Sequence, residues 1–214
     1  MINCYAFSAV PPFAQGLVRD LRVRWALEEA GIPYRVTLIG DGEGSISRTD
    51  YGAIQPFNQV PAIDEGGFTL FESGAIVLHV AEQSAKLLPR DPSERAQVIQ
   101  WMFAALNSIE PRIQELAAID LFYTGERWAQ ERRPAVVQAV QQRLAQLAAR
   151  LDGSDYLVES FSAADILMTT VLRILRHTKL VEEVPALGAY KERCEARPAF
   201  KKALAGQMSA FERH

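Results

Sequence analysis

One stretch, Asn58 to Gln83, leaves this chain few folds to choose from. NQVPAIDEGGFTLFESGAIVLHVAEQ reads as strand, turn, strand, then helix. Val60 to Ile63 is short, apolar and bounded by polar residues, and Glu65-Gly66-Gly67 supplies the positive-φ turn that two paired strands need. Phe68 to Phe71 is the second strand, broken by Glu72-Ser73-Gly74. From there Ala75, Ile76, Leu78, His79 and Val80 recur as one face of a helix.

Two details within it point to a binding site. Pro61 stands inside an apolar strand, where it removes a ladder donor. A cis Val60–Pro61 bond makes sense of it by exposing the Val60 N–H and C=O to a peptide-like ligand. Glu72-Ser73 then opens a helix, whose unpaired N–H groups and positive dipole end suit a carboxylate. Ser73 adds a hydroxyl donor there, and Glu72 an acceptor for an ammonium group. Each feature has a plain structural explanation taken singly: an N-cap, a dipole complement, an edge proline. Their order in one short stretch fits the α-amino acid end and the amide of a small γ-glutamyl peptide.

The flanking sequence extends the pattern. Ile2 to Phe7 reads as a first strand, and Ser8 to Phe13, with two consecutive prolines, as a loop. Helix signals begin near Gln15 to Val18 and end at Gly31, with Pro33 barring continuation. Tyr34 to Ile39 is a second strand, and the Gly/Ser-rich stretch Asp41 to Asp50 is expected to be mobile. This β-α-β order, followed by two strands and a helix, predicts a thioredoxin-like α/β domain over 1–84.

Residues 85–92 read as a linker, and 93–214 as an all-α helical bundle. Asp91-Pro92-Ser93-Glu94 combines an N-cap, an N1 proline and an N3 carboxylate. Val98, Met102, Leu106, Ile109, Ile113 and Leu116 give a long amphipathic helix that Pro111 should kink. Val136, Val140, Leu144, Leu147 and Leu151 define another. Ser162 and Asp165 pair an N-cap hydroxyl with an N3 carboxylate, opening a helix apolar on most faces that should form the buried centre of the bundle. Pro185 and Pro198 punctuate the last helices.

The charge balance excludes some partners. A net charge of −3 across 214 residues is no nucleic-acid surface, and no apolar run reaches membrane-spanning length. Cys4 and Cys194 stand far apart, and the three histidines are scattered, so neither a disulfide framework nor a metal site is expected. A reducing cytoplasm is the default compartment.

The runs Gln59-Val60-Pro61-Ala62-Ile63 and Leu70-Phe71-Glu72-Ser73-Gly74-Ala75-Ile76 resemble the glutathione-binding half of the cytosolic glutathione transferases of bacterial type. Leu21 to Tyr34 is similar to that family's first helix and second strand, and Ser162-Asp165 to its structural capping box. The resemblance implies glutathione as co-substrate, no metal, a homodimer and a role in detoxification. Val60 and Pro61 would then meet the cysteinyl part, Glu72 and Ser73 the γ-glutamyl end, and Gln59 would be a neighbouring amide contact. The α-helical domain would line an electrophile pocket, with Trp101, Met102, Phe103 and Tyr123 as candidates, although a core role suits most of them.

Thiol activation is less legible. An ordinary thiol, with a pKa of about 8.5, is only a few per cent thiolate at neutral pH. A donor aimed at the sulfur lowers that value. In the resembled family the donor is a Tyr or Ser hydroxyl, or a Cys replaces it, near the end of the first strand or the start of the first helix. Here a lengthened loop, SAVPPFAQGLVR, intervenes, and Gln15, Gly16 and Leu17 precede the helix. Ser8 is the first candidate and Tyr5 the second; Arg19 or the helix N-terminus are alternatives. Cys4 reads as a small core residue. The leading expectation is conjugation of glutathione to a small hydrophobic electrophile. Glutathione-dependent peroxide or disulfide reduction, isomerisation, and a non-catalytic binding or assembly module are the alternatives.

Overall fold

The computed structural model describes residues 1–40 and 44–212. Four strands form one mixed sheet: β1 (Ile2–Phe7), β2 (Tyr34–Ile39), β3 (Ala62–Glu65) and β4 (Phe68–Phe71), in the spatial order β2-β1-β3-β4. β1 and β2 run parallel, so a crossover must join them, and α1 (Asp20–Ala30) supplies it. β3 and β4 form the expected hairpin, with Gly66 at φ 65° and Gly67 at φ 92° in its turn. The ladder on β3 begins at Ala62, two residues later than the apolar run suggests.

Alternation along β1 sorts the layers. Ile2, Cys4 and Ala6 are buried, and Cys4 lies within electrostatic reach of Asp20 and Arg24 on α1. Tyr5 points to the other face. Its ring centroid is 5.6 Å from that of Tyr51 on α2 (Arg48–Gly52), in a cluster with Ile39, Val60 and Ala62. Of the stretch Asp41 to Asp50, expected as a mobile loop, residues 41–43 lie outside the described residues. The remainder includes a β-bridge from Ile46 to Ile39 and the start of α2, capped by Ser47.

α1 starts later than the periodicity suggests. Gly16 adopts φ 75°, and the bonds Leu17 N–H to Ala14 C=O and Leu21 N–H to Val18 C=O make tight turns before the helix proper. α3 (Ser73–Glu82) then buries Ile76, Val77, Val80 and Ala81.

The chain divides into two compact units, Met1–Leu88 with the stretch from Ala196 onward, and Pro89–Glu195. The sequence reading had grouped 93–214 together. Long-range packing accounts for the difference: α9 (Pro198–Phe211) rests on α1, where Phe200 meets Trp25 edge-on at 4.8 Å and Arg197 grips Glu29 at 2.6 and 2.8 Å.

The second unit has no strand among its described residues. α4 (Pro92–Phe103) is capped by Asp91, which accepts from the N–H groups of Ser93 and Glu94. The expected kink takes the form of a π-helical segment, Ala104–Ile109, closed by Glu110 N–H to Ala105 C=O. It precedes α5 (Glu110–Leu121), where Pro111 cannot donate and its ring would crowd the carbonyl four residues back. α6 (Arg127–Arg150) buries Val136, Val140, Leu144 and Leu147, and α8 spans Pro185–Glu195. α7 (Ala163–Arg173) has Ala163 to Leu172 all buried, behind a capping box from Ser162 and Asp165.

Candidate functional site

Strand register alone gathers the candidate residues at one end of the sheet. Ala62 pairs with Phe71, so Pro61 and Glu72, the residues just beyond that pair, leave the hairpin together. Ala62 also pairs antiparallel with Tyr5, which puts the carboxyl end of β1, and hence Ser8 and the approach to α1, at the same end.

At this end α3 begins in an unusual way. Its N-cap residue, Glu72, has φ 69° and ψ 115°, a left-handed conformation costing a non-glycine residue on the order of 1–3 kcal/mol. Its side chain is exposed and makes no capping bond. The next residue, Ser73, is buried, and its hydroxyl oxygen accepts from the Arg22 guanidinium at 3.1 Å. Arg22 itself is only 2% exposed. A buried cation, a hydroxyl and a helix N-terminus therefore share one spot, with a carboxylate beside them. The arrangement fits an α-amino acid head group.

The approach to β3 is equally specific. The Val60–Pro61 peptide is cis, as the strand proline implies. The Val60 N–H and C=O lie outside the ladder, which begins at Ala62. Two side chains hold the loop: Gln55 Oε1 accepts from the N–H groups of Phe57 (2.6 Å) and Gln59 (3.1 Å), and the Tyr51 hydroxyl donates to the Gln59 carbonyl at 2.8 Å. Burial pushes the Tyr51 phenol well above its ordinary pKa, with Cys4 and Tyr5 adding to the shift. Gln59 thus has both backbone groups engaged, and its side chain is exposed.

The hydroxyls proposed for the thiol are placed less favourably. Ser8 is 7% exposed, and its hydroxyl proton is donated to the Ile39 carbonyl at 3.0 Å. It is wedged against Gly40, where a Cβ would come within 2.2 Å of its Oγ. Ser8 acts here as a staple between β1 and β2. Tyr5 lies on the sheet face opposite α1, against Tyr51. Cys4 is fully buried and its thiol is pushed up to about 12, mainly by burial, with Asp20 adding and Arg24 opposing; it is inert as a nucleophile. Arg19, half-buried at the N-cap of α1, and the first turn of that helix remain on the side where Arg22 and Ser73 meet.

Residues 15–82 match the family profile described as glutathione S-transferase, N-terminal domain, and residues 113–198 the glutathione S-transferase, C-terminal domain. The disulfide-bond oxidoreductase YfcG of Escherichia coli (strain K12) is 32% identical over 203 residues, 87% of this chain and 90% of that one. A glutathione S-transferase from Silene vulgaris is 30% identical over 204 residues, 88% of this chain and 93% of that one. The chain belongs to the glutathione S-transferase family. A solved glutathione transferase from Burkholderia graminis, with two glutathione molecules bound per subunit, superposes with a TM-score of 0.81 at 26% identity, over 95% of this chain and 87% of that one.

Within this glutathione S-transferase fold, the second unit separates the side chains expected to line an electrophile pocket. Met102 is buried in the core and Phe103 is exposed. Trp101 borders a hollow of about 160 Å³ with Ile109, Arg143 and Leu147, and lies 5.9 Å from the Arg150 guanidinium. Tyr123 borders two larger ones. The first, about 410 Å³, is lined by Ile119, Leu121, Arg133 and His177; the second, about 380 Å³, by Ala118, Trp128 and Arg132. Tyr123 is thus the member of that set that borders two of these hollows.

Arg22, Gln55 and Tyr51 were missed by the sequence reading. Arg22 had one available signal, a charged residue in a helix whose neighbours Leu21, Val23 and Trp25 are all apolar. Among the described residues no group of three or more potential ligands could hold a metal ion, and no helix is long and apolar enough to cross a membrane.

Proposed function

We propose that this family member is a glutathione transferase joining the glutathione sulfur to an electrophilic carbon of a small, mostly apolar substrate. The observation that carries the reading is the Arg22–Ser73 contact at 3.1 Å beside the left-handed Glu72. Arg22, Ser73 and the α3 N-terminus take the γ-glutamyl carboxylate, and Glu72 takes its ammonium group. The Val60 backbone, presented by Pro61 and flanked by Gln59, pairs with the cysteinyl amide.

The thiolate is assigned to the positive end of the α1 dipole, with Arg19 as the nearby charge, in place of Ser8 or Tyr5; the Leu21 and Arg22 N–H groups themselves donate to the Val18 and Arg19 carbonyls. In the reaction the thiol proton leaves to solvent and the sulfur pair forms the C–S bond. The bond from carbon to its leaving group breaks, and that group departs with its electrons. Tyr123 and its two hollows are the surface we assign to the electrophile.

One observation favours a second reading. The relative from Escherichia coli is named a disulfide-bond oxidoreductase, and this chain has no side-chain hydroxyl or thiol just before α1. In that version the glutathione thiolate attacks a disulfide sulfur, forming a mixed disulfide and releasing a thiolate. A second glutathione then resolves it to glutathione disulfide and the second thiol. A non-catalytic module, using the fold for ligand storage or protein assembly, is the third reading.

Calorimetric titration with glutathione is expected to show binding, and none would leave only the third reading. Turnover of a model aryl halide against a small model disulfide separates the first two. Ser8→Ala is expected to change conjugation less than twofold, because its proton already serves Ile39; a large loss would restore Ser8 as the thiol's donor. Exposed Phe57 and Phe68 support a homodimer, testable as a light-scattering mass of twice 23.8 kDa. A cytoplasmic location accords with two cysteines that form no disulfide.

A further inference from the structure

Helix α9 sends one amide into the core of the first unit. Gln207 is 1% exposed, and its Nε2 donates both to the Val18 carbonyl at 3.0 Å and to Asp20 Oδ1 at 2.6 Å. Asp20 also accepts from Arg24 Nε at 2.7 Å, and Arg24 Nη1 donates to the carbonyl of Gly206, the residue preceding Gln207. The four residues close a ring between the two helices. Two buried atoms of that ring, Arg24 Nη2 and Gln207 Oε1, have no partner.

Joining α9 to α1 does not require such a ring. Trp25 against Phe200 and Arg197 on Glu29 already do so. Burying an amide, a carboxylate and a guanidinium with donor and acceptor capacity left over is costly for packing alone. The points gripped are informative. Val18 and Asp20 flank Arg19 and form the entry to α1, and the Val18 carbonyl also accepts from Leu21 N–H at 3.0 Å.

We propose that Gln207 is a positioning residue for thiol activation: from α9 it fixes where the entry to α1 places Arg19 and the positive end of the helix dipole. The inference rests on assigning the thiolate to that end. The charged and titratable groups around the ring are Asp20 and Arg24 on α1, Cys4 on β1 and Tyr34 on β2. Burial pushes the Asp20 carboxyl up, against the pull of Arg24 and Gln207.

The test uses the enzyme with all 214 residues and the ultraviolet absorbance of enzyme-bound glutathione thiolate followed against pH. Gln207→Met keeps the side chain's length and removes its donor. It is expected to raise the midpoint by about one unit, so that conjugation at acidic pH falls about tenfold, while affinity for S-methylglutathione stays within about twofold, since no ionisable thiol remains to be positioned. Arg197→Gln, which loosens α9 elsewhere, should lower the melting temperature and leave the midpoint in place. If Gln207→Met does not fold, Gln207→Asn, with a shorter reach, carries the same expectation.

An unmoved midpoint in the Gln207 variant, or an equal shift in Arg197→Gln, overturns the positioning role and leaves the binding site standing. Wild-type enzyme that binds S-methylglutathione but shows no lowered thiol midpoint removes the α1 assignment, and this inference with it.

Discussion

Two helices of this protein start on a serine with an acid nearby, and they use them in opposite ways. At α7, Asp165 accepts from Ser162 N–H (2.9 Å), the Ser162 hydroxyl (3.0 Å), Leu157 N–H (3.0 Å) and the Tyr190 hydroxyl (2.8 Å). Every donor nearby points inward and the site is closed; burial pushes the Asp165 carboxyl up while these bonds pull it back. At α3 the first turn is Ser73-Gly74-Ala75, with no acid at the third position to reach back. Glu72 is turned out into a left-handed conformation, and the cation beside Ser73 is supplied by another helix. A helix start that satisfies itself is architecture. One that sets a strained, exposed acid beside a buried cation is the start we read as a binding site.

Mutations can break that distinction. The largest effect is expected for Asp165→Ala, which strands four donors and should cost roughly 3–5 kcal/mol in urea unfolding, with glutathione affinity of the folded fraction intact. Lost affinity with little lost stability would reverse the roles of the two helix starts. Arg22→Met should act on binding, weakening glutathione in calorimetric titration by about 1.5–3 kcal/mol. Glu72→Gly sharpens the contrast because its two effects have opposite sign. Relieving the positive φ should raise stability by about 1 kcal/mol, while loss of the ammonium partner weakens binding; reduced stability would mean that Glu72 is an ordinary cap.

The smallest effect concerns acid. Asp120 on α5 is pushed up by partial burial, but hydrogen bonds from Arg133 (2.6 and 3.1 Å) and His177 (3.3 Å) hold it below its ordinary value. A lowered carboxyl pKa stabilises the fold above the unfolded value of about 3.9 and loses that contribution as pH falls through the folded value. Asp120→Asn should therefore cost less than about 1 kcal/mol at neutral pH, since Arg133 is half-exposed, and nothing once the pH is below the folded value. A deficit persisting there would show that the pair acts through packing.

What the sequence disclosed was mostly local. The hairpin turn, the cap at Asp91 and the box at Ser162 each involve residues within about three positions of one another, so residue type and spacing suffice. The cis proline was legible because a proline in an apolar strand needs an explanation. Longer-range facts stayed hidden. Ser8 looked unengaged in sequence, whereas its hydroxyl meets the Ile39 carbonyl, 31 residues away. Arg22 meets Ser73 across 51 positions, and Gln207 meets Asp20 across 187. No periodicity encodes such meetings. The same limit hid where the last helix packs: its apolar face is visible in sequence, its partner is not.

The π-helical segment at Ala104–Ile109 has one consequence more. Each such wide turn carries one residue beyond the α-helical count, so everything after it is rotated by about 100° relative to an uninterrupted α-helix. The direction of Tyr123 is therefore set some fifteen residues upstream. Deleting a single residue from that segment would turn the far end of the rod like a key, presenting a different side of the protein to whatever meets Tyr123 now.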